Sequence, residues 1–196
     1  MDKAIRFMAP VNAETSDLLF KVIDELVNQG MTRLHLLLST PGGSVFHGLS
    51  IHNYLRGLPI PVFTYNFGSV DSIGVVIYCA GMQRFTVPHS RFLIHSVKFN
   101  INGKVSMDEK QIEEYLKGVK IDQRNIARVM SDTTGRPVEA IEREMIDRTT
   151  LNPEEAVAYG LVHAVKKELI PAGTEMMAIG EPIPNQPYQA RKVKFP

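Results

Sequence analysis

Apolar positions alternate between two spacings along this chain. The segment Ile5-Arg6-Phe7-Met8 reads as a short strand ended by Pro10. From Asn12, a natural cap, the members Leu19, Val22, Ile23 and Leu26 recur at helical spacing to about Gln29, and Gly30 fits the position just past the helix end. The next run, Leu34-His35-Leu36-Leu37-Leu38, is almost wholly apolar, as expected of a strand covered on both faces of a parallel sheet. His35 within it is expected to be a satisfied core or sheet-end histidine. A helix follows from Val45 to about Leu55, stopped by Gly57 and Pro59. Then come a strand at Val62-Phe63-Thr64-Tyr65, an apolar helix over Val75–Ala80, and strands at Arg84–Val87 and Arg91–His95.

The order β-α-β-α-β-α-β-β, with crossovers of single-helix length, predicts a layered α/β domain with a largely parallel sheet. Beyond it, Asn102-Gly103 suggests a short hairpin over 98–105, and Ser106 or Asp108 starts a long, charge-rich helix to about Met130. Its length and mixed face fit either a helix packed on another subunit or a solvated surface helix. A short helix after Pro137, a well-capped helix at Asn152-Pro153-Glu154-Glu155, and a final strand at Leu161–Val165 complete the pattern. Residues 166–196 are Pro-rich and show no periodicity, which reads as an extension rather than a second domain.

Composition narrows the class. The 196 residues suffice for one well-buried core, and 44% hydrophobic with 22% charged residues is ordinary for a globular domain. A net charge of +1 without a basic stripe argues against nucleic-acid binding. No apolar run reaches the roughly 18 residues of a membrane span, and the N-terminus lacks signal-peptide character. The single cysteine, Cys79, excludes an internal disulfide and any C-x-x-C site, and fits a reducing, cytoplasmic setting.

Three groups at the carboxyl ends of the expected strands carry the chemistry. Ser72 lies in Asn66-Phe67-Gly68-Ser69-Val70-Asp71-Ser72-Ile73-Gly74, a strand-to-helix junction of the kind that can hold a nucleophile, although Gly and Ser are also ordinary turn and cap residues. Gly42-Gly43 follows a strand and opens a helix, so its amides can point outward together as an oxyanion site; the same pair also suits a tight turn. His95 ends a strand on the same rim, where ligands of such sheets bind. A serine with a histidine supports acyl transfer, the amides of Gly43 and Ile73 being the candidate oxyanion donors. Val70 stands where the G-x-S-x-G elbow needs its first glycine, which disfavours an α/β-hydrolase.

The blocks Ser39-Thr40-Pro41-Gly42-Gly43-Ser44-Val45, Gly68…Ser72-Ile73-Gly74, Arg84-Phe85…Pro88-His89-Ser90-Arg91-Phe92-Leu93-Ile94-His95 and Leu151–Val162, in this order, resemble the Clp protease proteolytic subunit, the ClpP-like serine peptidases. The resemblance spans about Ile5 to Val165. It implies a ClpP/crotonase-type fold over 1–165, with repeated β-β-α-like units and a projecting handle at about 96–132. It also implies serine endopeptidase activity on peptides or unfolded protein, no metal or organic cofactor, and homo-oligomeric heptameric rings. Ser72 becomes the nucleophile and His95 the base, with Gly43 and Ile73 as oxyanion donors. This chain departs from the family pattern in three places. Val70 and Asp71 replace small residues before the nucleophile. Arg148 falls where the third triad member is expected, which makes Asp147, one residue earlier, the candidate orienter. Little chain precedes the first strand, so the loops that engage an AAA+ unfoldase are expected to be short, which argues against that partner. A catalytically impaired ClpP-like assembly subunit and a crotonase-type acyl-CoA enzyme remain the alternatives.

Overall fold

The computed structural model describes residues 1–98, 103–180 and 186–193. The strand-helix alternation is realised as β1 (Asp2–Met8), α1 (Ala13–Asn28), β2 (Arg33–Thr40), α2 (Val45–Gly57), β3 (Val62–Asp71), α3 (Ile73–Tyr78), β4 (Gln83–Thr86) and β5 (Arg91–Leu93). Next come α4 (Glu109–Thr134), α5 (Val138–Asp147), β6 (Thr150–Leu151), α6 (Pro153–Ala158), β7 (Ala164–Val165), β8 (Glu175–Ile179) and β9 (Ala190–Val193). One sheet runs in the order β6-β5-β3-β2-β1-β8-β9, and β4 pairs with both β3 and β7. Strands β1, β2, β3, β4 and β5 are parallel to their neighbours within this group.

Alternation across β1 and β2 sorts side chains to two faces. Ile5, Phe7, Leu34, Leu36 and Leu38 enter the main core with α1, α2 and α3. Ala4, Leu37, Tyr65, Phe85 and Met176 form a smaller apolar cluster. His35 is satisfied as expected. Its Nε2 donates to Asp2 at 3.2 Å and its Nδ1 accepts from the Tyr65 hydroxyl at 2.9 Å. Asn12 and Asn152 each close a capping box on α1 and α6. Such caps stabilise a helix by about 1 kcal/mol. Cys79 is buried, and burial pushes its thiol up to about 11, so it is a core residue and not a nucleophile.

Some element ends shift by two or three residues, as in β5, which stops at Leu93 and leaves His95 beyond the strand it was expected to end. Three larger differences separate the structure from the sequence expectation. Residues 66–71, which read as a turn by their Asn, Gly and Ser content, stay in β3, and α3 begins at Ile73. The reason is tertiary. Leu38 pairs with Asn66 and Thr40 with Val70, so β3 carries two extra residues, and its far end then pairs with β5. That bulge keeps the strand in the sheet while redirecting its last residues. The last strand of the main pattern shrinks to Ala164–Val165, because Leu161 and Val162 are buried in the turn after α6. Residues 166–196 are not without structure: β8 lies parallel to β1, and β9 pairs antiparallel with β8. Met176, Ala178 and Ile179 are all buried, which hides any alternation. The expected hairpin over 98–105 falls partly on 99–102, outside the described residues.

Arg84 joins three helix ends. Its Nε donates to the Leu161 carbonyl at 2.7 Å, Nη1 to Gly81 at 3.1 Å, and Nη2 to Thr133 and Gly160 at 3.4 Å. These carbonyls follow or end α3, α4 and α6, where helix dipoles leave partial negative charge. Burial lowers the pKa of this guanidinium from its ordinary value. Arg84→Met is expected to cost about 3 kcal/mol, since the buried carbonyls would lose their donors. Urea unfolding of the variant, read as a lower midpoint at unchanged slope, checks this.

Candidate active site

Ser72 follows the last residue of β3 and precedes α3. Its backbone sits at φ 58° and ψ −129°, one of two non-glycine residues with positive φ among those described. A serine is strained there, by about 1–3 kcal/mol, and such strain is concentrated at functional positions. The conformation is held from both sides. The Ser72 N–H donates to the Leu93 carbonyl of β5 at 2.8 Å, and the Ser72 carbonyl accepts from Val75 N–H at 3.0 Å.

The Gly42-Gly43 loop lies against this turn. A side-chain carbon at Gly42 would stand 2.7 Å from Ser72 Cβ and 2.8 Å from the Asp71 carbonyl oxygen. At Gly43, with φ +150°, it would stand 2.1 Å from the Val11 carbonyl oxygen. Glycine is therefore required at both positions by contact as well as by φ. Val11 bridges the loop, donating to Gly42 and accepting from Ser44, each at 2.8 Å. Neither the Gly43 nor the Ile73 amide donates a hydrogen bond among the described residues. Gly43 is exposed while Ile73 is buried, so the first amide lies at the surface and the second beneath the Gly42 turn.

His95 lies two residues past β5 and is half-buried. Its Nδ1 lies 2.7 Å from the Ser96 carbonyl oxygen. A carbonyl only accepts, so Nδ1 carries the proton, and in the neutral ring Nε2 keeps its lone pair. That is the tautomer a general base needs. Ser72 Oγ and His95 Nε2 are not hydrogen-bonded to each other in this state, nor to any other described residue. Catalytic hydrogen bonds are often long before substrate binds.

Asp147 ends α5, and its side chain is exposed. It is near His95 along the backbone: Ile94 N–H donates to Thr149 and Ser96 N–H to Met145, both at 2.8 Å, so the two segments run together on either side of it. The Asp147 carboxylate, however, makes no hydrogen bond to His95, whose Nδ1 is occupied by the Ser96 carbonyl. Arg148 beside it takes a left-handed conformation, φ 58°, and caps α5.

The charge of Asp71 does not stand free beside the nucleophile. Ser69 Oγ donates to its Oδ1 and Arg91 Nη2 to its Oδ2, each at 2.8 Å. This arrangement and the Ser96 carbonyl were both missed by sequence reasoning. The first depends on the β3–β5 register, and the second is a backbone group with no residue signature. Among the described residues no cluster of three or more His, Cys, Asp or Glu is placed to hold a metal ion. No described helix is long and apolar enough to cross a membrane.

A sequence model of the Clp protease family matches residues 1–168. The ATP-dependent Clp protease proteolytic subunit 3 of Rhizobium meliloti is 35% identical over 156 residues, covering 77% of this chain and 78% of that protein. A solved point mutant of ClpP1 from Listeria monocytogenes superposes with a TM-score of 0.75 at 23% identity, over 85% of this chain and 92% of that one, and so shares the fold. The match over most of the length, with the relative's identity, fixes the assignment: the chain belongs to the Clp protease family.

Proposed function

We propose that this chain is a serine endopeptidase that cleaves peptides or unfolded protein segments through an acyl-enzyme, with Ser72 as nucleophile and His95 as base. The observation that carries the reading is the strained Ser72, set against a glycine loop and followed by an amide with no other acceptor. In the first step Ser72 Oγ attacks the scissile carbonyl carbon while His95 Nε2 takes its proton. The oxyanion accepts from the Gly43 and Ile73 amides. Collapse breaks the C–N bond, and the imidazolium gives its proton to the leaving amine. Water, deprotonated by the same Nε2, then attacks the ester carbonyl, and the imidazolium returns that proton to Ser72 Oγ as the C–O bond breaks. Substrate must close Ser72 Oγ and His95 Nε2 to about 2.6–3.2 Å. Turnover of an unstructured peptide by the assembled protein, lost in Ser72→Ala, tests the reading.

The Ser96 carbonyl does for the imidazole what a carboxylate does in a triad: it fixes the tautomer. On this reading His95 Nδ1 is held without Asp147, whose carboxylate makes no bond to the ring. Asp147→Asn is therefore expected to change kcat by less than about threefold, against the roughly ten-thousandfold loss where a carboxylate alone sets the tautomer. Steady-state kinetics at saturating peptide check the difference.

Assembly is part of the proposal. Helix α4 leaves Ile112, Tyr115 and Leu116 about half exposed, at 53%, 51% and 52%, on positions that share one helix face. Such a stripe supports packing against a second copy, in heptameric rings enclosing a cytoplasmic chamber. On this reading the handle expected over about 96–132 would include this helix, Glu109–Thr134. A second reading, an assembly subunit with an idle site, draws on the missing Ser72–His95 bond, and absence of turnover in the intact assembly would favour it.

A further inference from the structure

We propose that Asp71 and Arg91 form a positioning pair that fixes the placement of Ser72 relative to His95; the inference rests on the serine-peptidase reading above. Ser72 hangs from the last residue of β3, and His95 lies two residues beyond the last residue of β5. The relative placement of the two is therefore set where these strands meet. The contact is short: Ser69 faces Arg91, Val70 faces Phe92, and Asp71 faces Leu93.

Asp71 reinforces that contact from one side chain. Its two carboxylate oxygens are taken by one group from each strand, Ser69 Oγ of β3 and Arg91 Nη2 of β5, both at 2.8 Å. Ser69, Asp71 and Arg91 lie on one face of the strand pair, opposite the buried Val70 and Phe92, so Arg91 reaches diagonally past its register partner. The result is a link at both ends of the pairing, with the Ser72 N–H to Leu93 carbonyl bond just past it.

An exposed ion pair would contribute little. This one is different because the Asp71 side chain is only 12% exposed while that of Arg91 is 50% exposed. Removing the guanidinium leaves a largely buried carboxylate with one hydroxyl donor, and the strand end can shift to hydrate it. On the other edge, β5 is held by β6 and by the Ile94–Thr149 bond, so movement is confined to the side that carries Ser72. Neither Ser72 Oγ nor His95 Nε2 holds the other before substrate arrives. Their separation is left to the backbone that Asp71 and Arg91 tie together.

Asp71→Asn, Arg91→Gln and the double variant test this in the full, assembled chain. Each single change is expected to lower kcat on a peptide about tenfold to a hundredfold, the usual cost of a misplacement near 1 Å, with KM within about twofold. The double variant should be no worse than either single, because both remove one contact. Arg91→Lys should recover part of the loss. Unchanged kcat in both singles, or losses that multiply in the double, would overturn the proposal. So would a loss explained by a melting temperature below the assay temperature. Amide exchange at Ser72 gives a second readout that needs no turnover: it should speed up in Asp71→Asn relative to Leu36 in the core, and equal rates would overturn the pair. Should the unmodified chain neither hydrolyse peptide nor label at Ser72, the peptidase reading fails, and Ser72 exchange still decides whether the pair holds β3 to β5.

Discussion

Ser72→Ala is expected to lower peptide turnover about a millionfold, with the fold and assembly intact. The mutation removes one oxygen from a position whose backbone is already held by the Leu93 and Val75 bonds, so no packing is lost. Alanine at φ 58° is no more strained than serine, since both carry one Cβ. Stability should therefore stay within about 1 kcal/mol of the parent. The large kinetic effect combined with the small thermodynamic one is the signature of a nucleophile. A purely structural N-cap would show the reverse, but Ser72 makes no side-chain capping bond to α3. Burst-phase and steady-state assays on the same preparation, together with thermal melts, separate the two outcomes.

Gly43→Ala is expected to reduce kcat by about a hundredfold to a thousandfold, the usual cost of losing one oxyanion donor. The new methyl carbon would lie 2.1 Å from the Val11 carbonyl oxygen, a contact that cannot persist. The loop must swing away from Val11, and the Gly43 amide goes with it. KM should change less than kcat, because the amide bonds strongly only once charge develops on the carbonyl oxygen. Unlike Ser72→Ala, this variant should retain slow covalent labelling at Ser72, since the nucleophile and base remain. Parallel measurement of kcat, KM and labelling rate on both variants distinguishes loss of the donor from loss of the nucleophile.

Most of the framework can be read from hydrophobic spacing alone. Strands β1 and β2, helices α1 and α2, and the capped α6 were all legible, because each carries its own period and its own end signals. The rim was legible too, since Gly43, Ser72 and His95 each follow an apolar strand. What escaped was set by partners distant in sequence. Residues 66–71 have turn composition, yet pairing with β2 and β5 keeps them extended. Residues 175–179 carry no alternation because Met176, Ala178 and Ile179 are all covered once β8 docks on β1. Asp71 reads as a stray charge until the register brings Arg91 to it. Asp147 illustrates the opposite limit. The family resemblance pointed to a segment that runs beside Ile94–Ser96, but a resemblance says nothing of where a side chain points or that a backbone carbonyl already holds Nδ1.

The most direct test is covalent labelling of the assembled protein with a fluorophosphonate, followed by mass mapping of the modified peptide. A peptidase acting through Ser72 should give one adduct, on Ser72, formed much more slowly in His95→Ala and blocked by a competing peptide substrate. Peptide turnover that continues with Ser72 unlabelled, or an intact assembly in which Ser72 never reacts, would contradict it.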